Sequence, residues 1–273
     1  MKPFPSIFLS LLLPLAVAAQ SVQIQDGAIL AEFSVSDSTK VYFSQGNLQY
    51  QASSKTWRFA EHQFDIVGFD NKNISEKYNG WIDLFGWGTS GYNGKNPYMT
   101  STNYSDYGDG YNDIAGTSYD WGVYNKISNG GNSAGMWRTL TSSEWYYLIS
   151  GRAQAGRLMG QGRVNNVNGL ILLPDGWETP SSVKFTYDPG NYSTNVYSLD
   201  EWAVMESYGA VFLPAAGYRR GTDVGDVGSY GYYWSSSADG YAYYLYFLSY
   251  GVYTGSGYRY DGLSVRLVQD VKK

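Results

Sequence analysis

The stretch that decides the fold runs from Tyr232 to Leu267 and reads YYWSSSADGYAYYLYFLSYGVYTGSGYRYDGLSVRL. Leu245 and Phe247 sit two residues apart, the spacing of one buried face of a β-strand, and Val252 is a further apolar position. Tyr244, Tyr246, Leu248 and Tyr250 alternate with the two buried residues and are expected on the opposite, solvent-facing side. Gly255-Ser256-Gly257 is expected to turn the chain, so that Tyr258 to Asp261 returns beside the first strand. Arg259 in that return reads as a scaffold residue with its stem packed and its guanidinium paired.

From Asp239 to Gly262 there is no Lys, Glu, Gln, Trp or Met, while Tyr, Gly, Ser and Asp dominate. That is the palette of a recognition surface. Tyr offers a large, rigid, amphipathic contact with two side-chain torsions to freeze, and Ser and Gly supply adaptable hydrogen bonding. An ordinary Tyr-rich sheet is the competing reading, because Tyr also has high strand propensity. The candidate ligand-binding residues are Asp239, Gly240, Tyr241, Tyr244, Tyr246, Leu248, Tyr250, Gly251, Tyr253, Tyr260 and Asp261, expected to form one exposed patch. Tyr104 and Tyr192 are expected to lie outside it.

The framework around these positions carries a family resemblance. YYWSSS (232–237), Ala242, Leu245, Phe247, Ser249, Val252, Arg259 and GLSVRLV (262–268) resemble the end of the C-type-lectin-fold domains of the formylglycine-generating-enzyme (sulfatase-modifying factor) superfamily. WRTLTSSEW (137–145), GLILLPDGW (169–177) and GAVFLPAAGYR (209–219) extend the likeness, which spans roughly Phe43 to Val268. Within that group the chain is most similar to the variable proteins of diversity-generating retroelements of Bacteroidetes type. The resemblance implies that positions between the framework residues are diversified by adenine-directed copying errors at Asn codons. The reachable residues then include Tyr, Ser, Asp, Gly, Leu and Thr and exclude Lys, Glu, Gln, Trp and Met, a restriction this stretch obeys.

The first twenty residues read as a targeting segment: Lys2 gives the positive start, Ile7 to Ala19 the apolar run, and Val17-Ala18-Ala19 the small residues of a cleavage site. The expected division is a signal peptide over 1–19, an N-terminal strand segment over 20–42 and a C-type-lectin-like domain over 43–273. The apolar run falls short of the roughly 20 residues a spanning helix needs. A chain with 0 Cys excludes a disulfide scaffold and thiolate metal sites, and a net charge of −5 argues against nucleic acid.

Two helices are legible. Thr141-Ser142-Ser143-Glu144 and Ser198-Leu199-Asp200-Glu201 are capping boxes, each followed by apolar residues at helical spacing (Trp145, Leu148 and Ile149; Trp202 and Met205), and Gly209 ends the second. Ala31–Val35 and Lys40–Phe43 read as strands about a Ser36-Asp37-Ser38 turn. Gly169 to Leu173 and Ala210 to Leu213 are short apolar runs closed by Pro174 and Pro214, suited to buried strands. Tyr78 to Asp120 reads as loops pinned by Trp81, Phe85 and Trp87. The expected fold class is α+β, a C-type-lectin-like fold with mixed and antiparallel sheets, two short helices and long loops.

No chemistry-bearing constellation emerges. The acidic run DYGDGYND (106–113) lacks the alternating order and closing Glu of a calcium loop. The Glu-Pro-Asn or Gln-Pro-Asp triplet of calcium-dependent sugar binding is absent, and Trp234-Ser235-Ser236 stands where the lectin Trp-Asn-Asp motif would fall. Formylglycine generation needs active-site cysteines, of which there are 0. The only His, His62, has no recognisable catalytic partner, and Glu144 and Glu201 are better explained as capping residues. The sequence therefore points to an exported, non-enzymatic binding protein, secreted, periplasmic or held at the cell surface, without cofactor or metal. Its expected partner is a protein or glycan rather than nucleic acid, with a membrane involved only through surface association. The alternative is an undiversified adhesin or polysaccharide-binding module of the same superfamily.

Overall fold

The computed structural model describes residues 21–187 and 190–272, so the expected targeting segment lies outside the described residues. Among the described residues the chain is α+β with strands predominating, arranged in five sheets whose strand pairings are antiparallel apart from one parallel pair. In the largest sheet the strands Ile24–Gln25, Ala28–Ser34, Lys40–Ser44, Leu267–Asp270 and Arg138–Thr139 lie side by side. Phe43 stands opposite Ile29 on one neighbour and Val268 on the other, which ties the beginning of the described chain to its end. Ala28–Ser34 and Lys40–Ser44 correspond to the two strands expected about the Ser36-Asp37-Ser38 turn.

A second sheet explains the short apolar runs. It orders Asn195–Tyr197, Met159–Val164, Val167–Leu172 and Val211–Pro214. Leu170 and Leu172 face one core, with Phe33, Trp145, Leu245 and Phe247. Ile171 and Phe212 face another, with Trp202 and Met205 from the Leu199–Ser207 helix. A strand buried on both faces needs apolar residues at every position and loses the alternation seen elsewhere. Pro214 closes its strand at the end, where a missing N–H is tolerated.

Both capping boxes are formed. The Thr141 hydroxyl accepts from the Glu144 amide at 3.2 Å while the Thr141 amide donates to Glu144 Oε2 at 2.8 Å. Ser198 and Glu201 make the same reciprocal pair. The first helix, Ser142–Tyr146, runs on into a π turn, Tyr147–Gly151, which brings Leu148 and Ile149 under Phe33 and Phe43. A further α-helical turn, Trp121–Tyr124, was not expected: it has no apolar periodicity, and it forms because Asp120 caps the Gly122 amide at 3.2 Å.

The long loop region is held by indoles. Trp87 Nε1 donates to the Ser235 carbonyl at 2.8 Å and Trp234 Nε1 to the Phe85 carbonyl at 2.7 Å, so each loop anchor satisfies the backbone of the other segment. Phe85 and Trp87 are buried as expected. Trp81 is only half-buried, because its ring lies at the surface beneath the Arg58 guanidinium, 3.8 Å away. His62 is exposed, stacked on Phe64 and 3.3 Å from Asp65 Oδ2.

Candidate functional site

The Tyr232–Leu267 stretch builds a three-stranded antiparallel sheet from Gly231–Ala238, Ala242–Leu248 and Gly251–Gly257. The run Ser235-Ser236-Ser237 forms a bulge between the Trp234–Tyr244 and Ala238–Ala242 pairs. Small hydroxyl residues suit this place. Ser235 Oγ donates to the Tyr243 carbonyl at 2.9 Å, and the Ser236 backbone pairs outside the sheet, accepting from the Ile114 amide and donating to the Leu140 carbonyl. The bulge thereby fastens the sheet to the loop region on one side and the helix-bearing segment on the other.

Alternation sorts the side chains as expected near the centre. Tyr233, Leu245 and Phe247 are fully buried against the large sheet and the Ser142–Tyr146 helix. Tyr232, Tyr244 and Tyr246 point the other way and are half-buried. The registers place Tyr232 opposite Tyr246 and Tyr246 opposite Tyr253, so one row of phenols crosses all three strands. The rings stack along it, Tyr232 to Tyr246 at 6.2 Å and 21°, Tyr246 to Tyr253 at 5.3 Å and 29°. Tyr230 extends the row, lying 5.7 Å from Tyr232 and almost parallel to it. Burial falls from Trp234 and Ala242, which are sealed in the aromatic core, through Tyr244 to Tyr253 at 43% exposure. Burial raises the pKa values of Tyr244 and Tyr232, and for Tyr232 the nearby Asp226 adds to the effect.

Glycines make room for the rings. A Cβ at Gly255 would stand 3.1 Å from the Tyr244 ring and 3.2 Å from that of Tyr246, and one at Gly257 would stand 3.0 Å from Tyr244. The Gly251–Gly257 strand thus presents a lane of bare backbone on which the two rings lie.

A second group sits at the other end of the sheet. Asp239-Gly240-Tyr241 is the tip of the first hairpin, with Gly240 at φ +104° and the Asp239 carboxylate accepting from the Tyr243 hydroxyl at 2.6 Å. Tyr241 packs on Tyr258 at 5.5 Å, and Tyr258 stacks on Tyr260 at 4.9 Å and 9°. With Tyr104, Tyr111, Gly240 and Arg259 the rings of Tyr241 and Tyr258 line a cavity of about 330 Å³. Arg220 links the two groups, its guanidinium 5.9 Å from the Tyr218 and Tyr258 rings and 5.6 Å from Tyr260, while Tyr218 stands 6.2 Å edge-on to Tyr232.

Five expectations need correcting. Leu248 is 6% exposed: the second hairpin tip is drawn onto the neighbouring sheet by Gln161 Nε2, which donates to the Leu248 and Gly251 carbonyls at 3.1 and 3.2 Å. That anchoring also buries Gly251, while Tyr250 is left at the tip, 67% exposed. Gly255-Ser256-Gly257 does not turn the chain but continues the edge strand; the turns fall at Ser249-Tyr250 and after Tyr258, where the Asp261 amide donates to the Tyr258 carbonyl. Asp261 is half-buried and its carboxylate is committed to Arg220 at 2.8 and 3.1 Å. Tyr104 borders the cavity rather than lying apart from the patch, whereas Tyr192 does lie apart from it, buried with its hydroxyl donating to the Ser229 carbonyl.

Sequence reasoning missed Tyr258, Tyr232, Tyr218 and Arg220. The signal for Tyr258 was present: once Arg259 is assigned inward, alternation turns both Tyr258 and Tyr260 outward. Arg259 is indeed buried, its Nη1 donating to the Tyr107 and Gly110 carbonyls. Tyr104 and Tyr111 reach the site from a loop more than a hundred positions earlier, and nothing local to them announces it. Among the described residues no group of three or more His, Cys, Asp or Glu converges as a metal site. No described helix is long and apolar enough to cross a membrane.

A family model described as a domain of unknown function (DUF8237) matches residues 193–268, a span that holds the three-stranded sheet, Arg220 and the Tyr258–Asp261 return. No curated protein and no solved structure matches the chain.

Proposed function

We propose that the chain is an exported, non-enzymatic ligand-binding protein that presents a tyrosine-rich surface on a C-type-lectin-like scaffold. In this reading it is a variable protein of a diversity-generating retroelement. The observation that carries the proposal is the division of the three-stranded sheet. Its inner face is sealed core at Tyr233, Leu245 and Phe247, and its outer face carries a row of stacked phenols grading into solvent at Tyr253. Rigid aromatic side chains on a fixed backbone lose little entropy on binding, which is the economy of antibody-like recognition. The same phenols offer hydroxyls at their rims, suiting a partner that is part apolar and part polar.

The binding test uses protein and glycan arrays probed with the purified chain, followed by affinity measurement on the partner found. Tyr246→Ala and Tyr253→Ala should each weaken binding by about 2 kcal/mol or more at a true hot spot. Unchanged affinity in both variants would defeat the proposal. Diversification has its own test: an adenine-rich near-repeat of the region coding for Asp239–Asp261, beside a reverse-transcriptase gene, is expected. An undiversified adhesin is the second reading, favoured by the outward stack of aromatic rings on which sugars pack. A missing repeat together with a glycan partner would select it.

A further inference from the structure

The cavity at the hairpin end has an unusual floor. Arg259 is 2% exposed, yet it enters no ion pair among the described residues. Its Nη1 is satisfied by the Tyr107 and Gly110 carbonyls, while its buried Nε has no hydrogen-bond partner. Above the guanidinium stand the Tyr104 ring at 5.3 Å and the Tyr111 ring at 6.0 Å. A buried cation without a carboxylate costs the fold free energy, and carbonyl dipoles and ring faces offset only part of that cost. Two other buried arginines, Arg219 and Arg266, likewise bond to uncharged oxygens and keep an unpartnered buried Nε, so what sets Arg259 apart is that it borders this cavity.

We propose that this cavity binds a carboxylate carried on a six-membered ring, with Arg259 as the anion-reading group and the tyrosines as walls. This rests on the reading of the surrounding surface as a binding site and names the ligand chemistry for one end of it. A volume of about 330 Å³ is at the small end of ligand sites and suits one substituted ring. Tyrosine faces stack on the ring, whether a sugar's C–H face or an arene, and Nη2 of Arg259, the guanidinium nitrogen that is neither bonded to a described carbonyl nor sealed inside the fold, supplies the charge-assisted hydrogen bond to the carboxylate. The division of labour is specific. Arg259, Tyr104 and Tyr111 come from the framework or from outside the Asp239–Asp261 positions that the resemblance marks as variable, whereas Tyr241 and Tyr258 are among those positions. The preference for an anion is then a fixed property of the scaffold, and the preference among rings is set by the two variable walls.

The experiment is isothermal titration of the full chain with sodium glucuronate and sodium 4-methylbenzoate, beside their uncharged counterparts glucose and 4-methylbenzyl alcohol. At least one carboxylate should bind about tenfold or more tightly than its uncharged counterpart and weaken as salt rises. Tighter binding of glucuronate assigns the site to acidic sugars, and tighter binding of 4-methylbenzoate assigns it to aromatic acids; either supports the carboxylate site. Arg259→Gln should abolish the preference for the charged member. Because that change also removes bonds to the Tyr107 and Gly110 carbonyls, Tyr241→Ala serves as the second variant: it should weaken both members of a pair by a similar factor and leave their ratio intact. Equal binding of charged and uncharged members, or no binding of either carboxylate, overturns the assignment. If the carboxylates fail while Tyr246→Ala still costs affinity for the macromolecular partner, the cavity assignment falls and the surface reading stands.

Discussion

The two faces of one three-stranded sheet both carry tyrosine and treat it differently. On the inner face Tyr233 is fully buried, with its hydroxyl donating to the Pro214 carbonyl at 2.9 Å and accepting from Asn47 at 3.1 Å. One position earlier on the same strand, Tyr232 lies half-open in a row of phenols and its only side-chain hydrogen bond among those described is a long one to Asp226, 3.4 Å. The residue type does not decide which role a tyrosine plays. What decides it is whether its hydroxyl finds a buried partner and its ring finds an apolar wall on every side. The inner face is therefore closed by the core at its centre, while the outer face runs from the sealed Trp234 to the open Tyr253.

The largest expected effect tests the inner face. Phe247→Ala removes a fully buried ring and should lower stability by about 3–5 kcal/mol, read from urea denaturation. A loss comparable to that of Tyr253→Ala would erase the distinction between the faces.

The scaffold beneath the inner face should also respond to pH. Burial lifts the carboxyls of Asp83 and Asp120 from the ordinary 3.8 to about 6. Asp120 accepts from the Thr139 amide and hydroxyl, and the Thr139 carbonyl accepts in turn from Ser236 in the bulge. The folded state keeps these protons to higher pH than the unfolded chain, so their contribution to stability is largest in acid and is lost as pH rises through about 6. Relative to Asp120→Asn, wild type should lose on the order of 2–3 kcal/mol of stability between about pH 4 and pH 7. No relative loss over that range, or a relative gain, would show that the carboxyl is not the buried acid described.

Tyr244 sits at the border, packed edge-on to Trp234 at 5.8 Å. Its truncation to Ala should cost about 1–2 kcal/mol, between the two faces. The smallest effect belongs to Tyr253→Ala at the open end of the row, with a change in stability of roughly 0.5 kcal/mol or less. Thermal melts of the pair measure the gradient directly, and equal shifts would flatten it.

Much of the scaffold was legible because its determinants are local. Both capping boxes, the Gly209 stop and the alternation of Leu245 and Phe247 depend on residues within a few positions of each other. The failures share a different cause. Leu248 was misplaced because period-2 reasoning assumes an unperturbed strand, and the amide that pulls the hairpin tip inward belongs to Gln161. Gly255-Ser256-Gly257 has turn composition, yet its glycines serve to clear space for Tyr244 and Tyr246, which a linear reading cannot see. The cavity joins Tyr104 and Tyr111 to Arg259 and Tyr241 across the fold, and only the tertiary structure brings them together.

The bare lane at Gly255 and Gly257 has an evolutionary consequence. Because each added Cβ would press on a phenol from the middle strand, a substitution at Gly255 displaces the rings of Tyr244 and Tyr246 without touching their codons. Positions on this surface are therefore epistatic: the value of a tyrosine at 244 depends on what stands at 255. Single-site scans will under-describe such a face, because the effect of a change at one position is set by its neighbours.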